Sequence, residues 1–305
     1  MVSWGRMSIK EHPPHNSLHV PVLLDAVVEL LQPAKGESYL DLTAGYGGHA
    51  QRILGQTGNY TESVLVDRDE NAIKHLESSI DKRTRLMHTD FVSAAKGLME
   101  EGKTFDIAIV DLGVSSPQLD KSERGFSLKR SGPLDMRMDQ RQTTTARTLI
   151  NTATADELAH IIAEFGEEPI RRAREIAQAI IKSRPISTTE QLATLIEQTH
   201  HGRRSKIHPA TRTFQALRIE VNDELKQLEE LLPLLPSLLK TGGRVAIISF
   251  HSLEDRLVKR YFKEQGQSGF ESELKPLNKK PITGATQDVQ NPRARSAKLR
   301  VAVKN

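Results

Sequence analysis

The sequence predicts an α/β fold in which helices cover both faces of a largely parallel β-sheet. Two observations carry this prediction: short apolar runs alternate with helical patterns, and a polar residue follows each of the first four runs. The runs typical of strands cover residues 38–42, 63–66, 85–88, 105–110 and 244–250. In such a sheet, ligands bind beyond the carboxyl ends of the strands, at the point where the strand order reverses.

Composition limits the functional classes. The chain has 305 residues and a net charge of +4, which allows one or two domains and permits nucleic-acid binding without requiring it. It contains no cysteine, which excludes disulfides, thiolate zinc sites and cysteine nucleophiles and agrees with a reducing compartment. There is no apolar run of about 18 residues, the length of a membrane span, and no signal-peptide pattern. We therefore expect a soluble, cytoplasmic protein.

The first elements follow from periodicity. Residues 1–17 are polar and proline-bearing without a repeat, so we interpret them as a loose tail. A helix is expected over 23–31 because apolar residues there repeat at the spacing of one helical face. Further helical patterns separate the first four strands, and they cover residues 49–54, 70–80 and 92–100.

A glycine-rich loop joins the first strand to a helix in the segment Y-L-D-L-T-A-G-Y-G-G-H. Asp41 ends the strand, Gly45, Gly47 and Gly48 follow, and the helical pattern starts at His49. Glycines let the backbone turn sharply and approach a ligand, and a helix start offers free N–H groups. The leading carboxylate would repel a pyrophosphate but suits a cationic, hydroxyl-rich ligand such as S-adenosylmethionine. A purely structural turn is the alternative.

Acidic residues stand at equivalent positions after the first four strands. Asp41, Asp67, Asp90 and Asp111 occupy these strand ends. An acid after the second strand can accept hydrogen bonds from both hydroxyls of a ribose, and Phe91 after the third offers an apolar face to an adenine. The alternative is that these acids are helix caps. Their recurrence at four strand ends favours a ligand site.

The middle of the chain predicts an inserted domain. Residues 113–137 carry turn residues and mixed charge, punctuated by apolar residues, which favours an ordered functional loop. A helical region over 143–198 follows, with a capping box at Thr154 and Glu157. Since no strand interrupts it, we expect a small all-α domain, 123–215, inserted into a sheet domain formed by 18–122 and 216–305. A helix over 210–232, a helix opening at His251 and a final strand within 291–304 complete the chain.

Two basic segments are candidates for contact with phosphates. The stretch 200–209 reads H-H-G-R-R-S-K-I-H-P, and a solvated loop is its alternative interpretation. Its histidines have no carboxylate or cysteine at ligand spacing, so we expect no metal site. The second segment, N-P-R-A-R-S-A-K, leads into the last predicted strand, which has a basic face. The candidate residues are Arg203, Arg204, Lys206, Arg293, Arg295 and Lys298.

Eight motifs in order resemble those of the bacterial 16S ribosomal RNA (cytosine-N4)-methyltransferase family. They are H-V-P-V-L-L, D-L-T-A-G-Y-G-G-H, D-L-G-V-S-S-P-Q-L-D, R-G-F-S, G-P-L-D-M-R-M, T-F-Q-A-L-R-I-E-V-N-D-E-L, S-F-H-S-L-E-D-R and N-P-R-A-R-S-A-K-L-R. The resemblance covers about residues 18–303, including the helical insert. It implies a Rossmann-like class I methyltransferase sheet with an inserted small all-α domain, and S-adenosylmethionine as cofactor.

The same resemblance implies the site and the substrate. The family's cofactor contacts correspond here to Gly47, Gly48, His49, Asp67, Phe91, Asp111 and Gln118. The acceptor that it implies is the exocyclic amine, N4, of one cytidine in the decoding region of 16S rRNA within the small ribosomal subunit. It implies no membrane partner, and the sequence does not predict the oligomeric state.

The fourth strand end bears on catalysis. Many amino-methyltransferases carry Asp or Asn, two prolines and an aromatic residue there, whereas this chain reads D-L-G-V from Asp111. The geometry of that motif therefore cannot be transferred. Our hypothesis is that Asp111 closes the cofactor site while Ser116, in the S-S-P loop, and His251 line a pocket for the base. A helix cap or a structural histidine is the alternative for His251.

Three other functional classes compete with this interpretation. The acid-led loop D-x-x-x-G-x-G-G disfavours a nucleotide-binding oxidoreductase. A non-catalytic RNA-binding or ribosome assembly factor on a methyltransferase fold is disfavoured because every cofactor position is intact. A DNA or small-molecule methyltransferase is disfavoured by the family resemblance alone.

Overall fold

The computed structural model describes residues 21–199, 208–267 and 269–305. The predicted tail 1–17 and the candidates Arg203, Arg204 and Lys206 lie outside these ranges. Within them, the strands are β1 (Tyr39–Asp41), β2 (Val64–Asp67), β3 (Arg85–His88), β4 (Phe105–Asp111), β5 (Leu239–Ser249), β6 (Leu274–Pro276), β7 (Ile282–Thr283) and β8 (Lys298–Lys304).

Fourteen α-helices are assigned within the described ranges. They are α1 (Leu24–Leu31), α2 (Gly48–Thr57), α3 (Glu70–Ser79), α4 (Phe91–Glu100), α5 (Ser116–Asp120), α6 (Ala146–Thr152), α7 (Ala155–Phe165), α8 (Ile170–Lys182), α9 (Thr189–Gln198), α10 (Thr211–Asn222), α11 (Glu224–Leu231), α12 (Leu235–Leu238), α13 (Ser252–Gln267) and α14 (Gly284–Gln287). None of the helices in the described ranges is long and apolar enough to cross a membrane.

The strands form one sheet in the order β3-β2-β1-β4-β5-β8-β6, with β7 paired to β8. The five predicted strands pair in parallel, which confirms the α/β prediction. The last strand, β8, pairs antiparallel with β5, β6 and β7. The strand order reverses between β1 and β4, which is where a ligand site is expected.

Alternating side chains of the central strands enter two separate apolar cores. Leu40 of β1 and Ala108 of β4 belong to one core, and their chain neighbours Tyr39 and Ile107 belong to the other. Successive side chains of a strand point to opposite faces, so a sheet covered on both faces has apolar residues at every position. This is why the strands appear in the sequence as continuous apolar runs.

A third apolar core joins the helices of the middle region. It contains Phe126 and Leu134 of the predicted loop together with side chains of α6 to α10. The predicted capping box is present, since the Thr154 hydroxyl accepts from Glu157 N–H and the Glu157 carboxylate accepts from Thr154 N–H. Helix α10 runs across the predicted domain boundary at 215, and Val221 near its end still belongs to this core. The domain division itself stays a prediction.

The prediction of a single helix over 210–232 is wrong, because this segment forms two helices, α10 and α11. The backbone of Asp223 is left-handed (φ 50°), and this residue ends α10 and precedes α11. The turn brings Glu224 back toward Arg218, and the two side chains form paired hydrogen bonds of 2.8 Å. Side-chain periodicity continued across the break, so the pattern alone did not reveal it.

Candidate active site

A cavity of about 380 Å³ opens at the carboxyl ends of β1 to β5. All the residues that the family resemblance assigns to the cofactor line it, except Gly47, and so do both candidates for the base pocket. The predicted residues that line it are Gly45, Gly48, His49, Asp67, Asp90, Phe91, Asp111, Ser116, Gln118, His251 and Arg293. Residues that are far apart in the sequence therefore meet at one site.

Gly47 and Gly48 shape the loop that enters α2. Gly47 has a φ of 80°, and a Cβ at this position would lie 2.9 Å from Cδ2 of Leu76. This glycine is therefore required by backbone conformation and by contact with α3 rather than by the cavity. Gly48 begins α2, whose first N–H groups have no carbonyl partner within the helix.

Asp41 supports the same loop from inside the protein. Its buried carboxylate accepts hydrogen bonds from the Tyr39 hydroxyl (2.6 Å) and from Thr43 N–H (3.1 Å). Burial raises the pKa of Asp41 to about 6, although these bonds and the nearby His49 ring oppose the shift. Asp41 is not among the lining residues of the cavity, so it positions the loop rather than facing a ligand.

His49 and Asp111 face each other at the cavity wall. His49 Nε2 lies 3.6 Å from Asp111 Oδ2, and the Asp111 N–H donates to the Thr43 hydroxyl (2.6 Å). Both ring nitrogens of His49 and Oδ1 of Asp111 are buried and have no hydrogen-bond partner among the described residues. Buried polar atoms without partners are rare, so these atoms point to a ligand that would satisfy them.

Asp67 ends β2 with its carboxylate toward the glycine loop. Its two oxygens accept from Gly45 N–H and Asp69 N–H, both at 2.7 Å. Burial raises the pKa of Asp67 to about 6 in spite of these bonds. Each carboxylate oxygen keeps a further lone pair, so Asp67 can also accept from the hydroxyls of a ligand.

The third strand end differs from its neighbours. Asp90 accepts from the N–H groups of Val92 (3.0 Å) and Ser93 (2.9 Å), which confirms the cap interpretation for this acid. Phe91 is largely buried yet contributes to the cavity wall. Phe91 therefore contributes an apolar surface to the cavity wall.

A buried carboxylate that the sequence analysis missed ties the loop after β4 to the sheet. Asp69 caps α3 by accepting from Asn71 N–H, and its other oxygen accepts from Gln118 Nε2 (2.8 Å) and Arg124 Nη1 (2.7 Å). Gln118 also accepts from Ser115 N–H (3.0 Å). The amide of Gln118 is thus held in place on both sides.

Arg124 extends this network across the loop. Its Nη2 donates to the carbonyls of Arg137 (3.0 Å) and Met138 (3.1 Å). Met138 N–H donates to the Asn222 side-chain carbonyl (2.8 Å) at the end of α10. These contacts hold the predicted functional loop in one conformation, and they join residues too distant in sequence to be paired by any local pattern.

The end of β5 carries a cluster of charged groups. Glu254 Oε2 accepts from Phe250 N–H (2.7 Å) and His251 N–H (3.2 Å), and its Oε1 lies 3.2 Å from His251 Nε2. Burial alone would raise the pKa of Glu254, but His251 and Arg218 hold it below its ordinary value. His251 Nδ1 also accepts from Glu254 N–H (3.4 Å), so the histidine interacts with the start of α13, as its structural alternative predicts.

Glu224, His251 and Glu254 form the group that could hold a metal ion among the described residues. One ligand atom from each lies within 4.8 Å of the others. However, Arg218 already binds both carboxylate oxygens of Glu224, and the His251 ring faces Glu254. The Arg218 guanidinium therefore already neutralises the Glu224 carboxylate. Of this cluster, only His251 was identified from the sequence.

The candidates for the base pocket and for RNA contact differ in exposure. Ser116, the first residue of α5, is buried and lines the cavity. Arg293 also lines it and pairs with Asp120 at 2.8 Å. Lys298 binds Asp255 (2.9 Å), which it shares with Arg300. Arg295 is exposed.

Comparison with known proteins gives a consistent family match. A family model described as the MraW methylase family matches residues 16–305. The Ribosomal RNA small subunit methyltransferase H of Cyanothece sp. is 47% identical over 289 residues, covering 93% of this chain and 94% of that protein. The protein of the same name from Acidobacterium capsulatum is 46% identical over 297 residues, covering 94% and 98%.

Solved structures align with this chain at low sequence identity and low TM-score. An rRNA methylase from Streptococcus thermophilus aligns with a TM-score of 0.39 at 11% identity, covering 94% of this chain and 99% of that one. A SAM-dependent O-methyltransferase from Thermotoga maritima aligns with a TM-score of 0.40 at 10% identity, covering 92% and 64%.

Proposed function

The chain belongs to the MraW methylase family, and we propose that it transfers a methyl group from S-adenosylmethionine to N4 of a cytidine in the decoding region of 16S rRNA. Two curated relatives support this proposal. By their names, they are methyltransferases of small-subunit ribosomal RNA. The single observation that carries the proposal is the cavity. The strand-end residues and the glycine loop line it at the point where the strand order of the sheet reverses.

The cavity residues fit S-adenosylmethionine chemically. Asp67 has carboxylate lone pairs for the ribose hydroxyls, and Phe91 offers an apolar face to the adenine. The unpartnered atoms of His49 and Asp111 match the charged amino-acid end of the cofactor, which carries an ammonium and a carboxylate. Gly48 and the start of α2 add backbone N–H groups. Gly47 supports this end of the site by shaping the loop.

The protein's contribution to the reaction is positioning and charge. The bound cofactor supplies a methyl group on a positively charged sulfur. Cytosine's amine is a weak nucleophile because its lone pair is delocalised, so alignment of the amine with the methyl group accounts for much of the rate. Ser116 and His251 line the same cavity as Asp111, and in this proposal they hold the amine in line with the methyl group. The carboxylates of Glu224 and Glu254 line the same cavity, and in this proposal they stabilise the positive charge that develops on the amine.

The remaining parts of the chain have proposed roles in substrate recognition. The helical region predicted as an insert, 123–215, and the basic residues of both segments are proposed to contact the RNA around the target base. The target base must leave its stack to enter the cavity, which requires the protein to hold the flanking backbone. Because the proposed substrate is ribosomal, we propose that the protein acts in the cytoplasm.

Substrate choice tests the proposal. Purified protein would be incubated with tritiated S-adenosylmethionine and 30S subunits from cells that lack this modification, alongside naked 16S rRNA and double-stranded DNA. We expect label in the ribosomal substrate and none in DNA. Cofactor binding without transfer to any of them would contradict the proposal and favour a non-catalytic assembly factor.

A further inference from the structure

The cavity has an aromatic ring at the end of β5 that the cofactor assignment does not use. The proposed cofactor residues belong to the ends of β1 to β4, whereas Phe250 follows β5, the next strand in the sheet. Phe250 is only partly buried and lines the same cavity. Its neighbours His251 and Glu254 line it as well, so this end has both an apolar and a polar wall.

The Phe250 ring lies against Gly113. Gly113 has a φ of 91°, and a Cβ at this position would lie 3.3 Å from Cδ2 and 3.7 Å from Cγ of Phe250. The ring therefore lies against a residue that has no side chain, two positions after Asp111. A larger residue at 113 would displace the ring, and the positive φ disfavours any side chain there.

The backbone of Phe250 is also fixed. Its N–H donates to Glu254 Oε2 at 2.7 Å, and the same oxygen accepts from His251 N–H at 3.2 Å. Glu254 is buried, and although burial raises the pKa of its carboxyl, the His251 side chain and the charge of Arg218 lower it below its ordinary value. An aromatic residue with a fixed backbone and an accessible side in a cavity costs little conformational entropy when it binds a flat ligand.

We propose that Phe250, lying against Gly113, is the surface on which the target cytosine stacks after it leaves the RNA. This inference rests on the proposed function and adds the residue that holds the base. Bases extruded from nucleic acids are commonly held by stacking on aromatic side chains. The segment that begins at the end of β4, D-L-G-V, contains no aromatic residue. The neighbouring strand β5 is followed by Phe250 at the same edge of the sheet.

The polar wall beside the ring suits the polar edge of cytosine. That edge has an amine, which donates hydrogen bonds, and a ring nitrogen and a carbonyl oxygen, which accept them. Glu224 and Glu254 provide carboxylate acceptors, and Arg218 provides a guanidinium, of whose five N–H groups two are used in its bonds to Glu224. Donors and acceptors of both kinds thus lie in the cavity that Phe250 lines.

Substitutions that separate stacking from packing test this proposal. Phe250→Leu keeps an apolar side chain but removes the ring, and Phe250→Tyr keeps the ring. Phe262→Leu makes the same change in α13, in a buried residue outside the cavity lining. Each variant would be assayed for kcat/KM with unmodified 30S subunits and for the Kd of S-adenosylhomocysteine by calorimetry.

Loss of one base–aromatic stack predicts that Phe250→Leu lowers kcat/KM for the subunits by about 5- to 150-fold. We expect the Kd of S-adenosylhomocysteine to change less than twofold, and Phe250→Tyr and Phe262→Leu to keep kcat/KM within about threefold of the wild type. Wild-type kcat/KM in Phe250→Leu would overturn the proposal, as would an equal loss of S-adenosylhomocysteine affinity. If the wild type itself methylates no cytidine, the proposed function fails instead.

A second measurement does not depend on turnover. Phe250→p-benzoylphenylalanine places a photoreactive group at this position, and illumination with 30S subunits should crosslink it at the target cytidine, mapped by primer extension. The same replacement of Phe262 should give no crosslink. Crosslinks from position 250 confined to other nucleotides, or absent although the subunits bind, would overturn the proposal even where Phe250→Leu does not fold.

Discussion

Gly48 lies against Pro21 so closely that a Cβ at position 48 would be 2.3 Å from Cγ of the proline. The contact joins the glycine loop to the segment that precedes α1, and both residues line the cavity. A missing side chain thus allows an N-terminal residue to complete the cavity wall. From the sequence, Gly48 was predicted from its place in the glycine-rich turn and from the family resemblance, and neither indicated the contact with Pro21.

Gly48→Ala should therefore damage the cofactor end of the cavity. The added methyl group must displace the Pro21 ring or the loop, so we expect the Kd for S-adenosylhomocysteine to rise about tenfold or more, equivalent to about 1.4 kcal/mol. Gly55→Ala is the matched control in the same helix, because a Cβ there meets nothing within 4 Å. It should stabilise the protein by about 0.5–1 kcal/mol in urea unfolding. Equal affinities for both variants would contradict this explanation.

Cofactor affinity should fall in mildly acidic solution because of Asp67. Its pKa is raised by burial to about 6, so the unliganded carboxyl becomes protonated as the pH drops through this value. Ribose hydroxyls that donate to the carboxylate favour its charged form, so affinity should be constant above pH 7 and weaken below pH 6, by at most about tenfold per unit.

Calorimetry with S-adenosylhomocysteine from pH 5 to 8 measures this dependence. Asp67→Asn should bind more weakly at pH 8 and show a flatter profile between pH 5 and 7, since the titrating group is gone. An affinity of the wild type that stays constant down to pH 5 would show that protonation of Asp67 does not matter for binding.

Ser116→Ala and His251→Ala test the predicted base pocket. Each removes a polar group from the cavity wall that we propose faces the acceptor amine, so we expect kcat with 30S subunits to fall about tenfold or more, the effect of losing one hydrogen bond or more. The Kd of S-adenosylhomocysteine should change little. Ser78→Ala and His160→Ala, both at exposed positions, are the controls. Near-normal kcat in both cavity variants would refute their assignment to the pocket.

Salt dependence distinguishes the basic residues. The Arg293–Asp120 pair is largely exposed, so Arg293 can exchange its partner for a phosphate at little cost, and Arg295 is exposed. Each phosphate contact with single-stranded RNA contributes about 0.7 to the slope of log K against log salt. The double change Arg293→Ala and Arg295→Ala removes two such contacts, so it should lower the magnitude of the slope by about 1.4. Lys298→Ala should change it less, because Asp255 holds Lys298.

Binding of 30S subunits at several salt concentrations provides these slopes. Arg203→Ala with Arg204→Ala should lower the slope in the same way, as the sequence prediction requires. Slopes that remain at the wild-type value in both double variants would remove these residues from the RNA contact.

The sequence was informative where a feature is local. Continuous apolar runs predicted β1 to β5, and the acids and glycines after them predicted the cavity edge. The short strands β6 and β7 were missed, because β6 spans only Leu274–Pro276, including a lysine and a proline, and β7 only Ile282–Thr283. Neither is long enough to show the period of a strand.

The parts of the site that could not be predicted depend on distant pairs. Arg124 and Asp69 are 55 positions apart, and their pairing follows from how the loop after β4 folds back on the end of β2. The Arg218–Glu224 pair depends on the left-handed turn at Asp223. Charged residues in loops and amphipathic helices usually face solvent, so the local pattern gave no signal that these four side chains are enclosed.

The identity of the methylated nucleoside tests the proposed function most directly. Unmodified 30S subunits would be treated with the protein and labelled S-adenosylmethionine, the 16S rRNA digested to nucleosides, and the label assigned by chromatography and mass spectrometry. We expect N4-methylated cytidine from one position in the decoding region. Label in another nucleoside, or on another atom of cytidine, would contradict it.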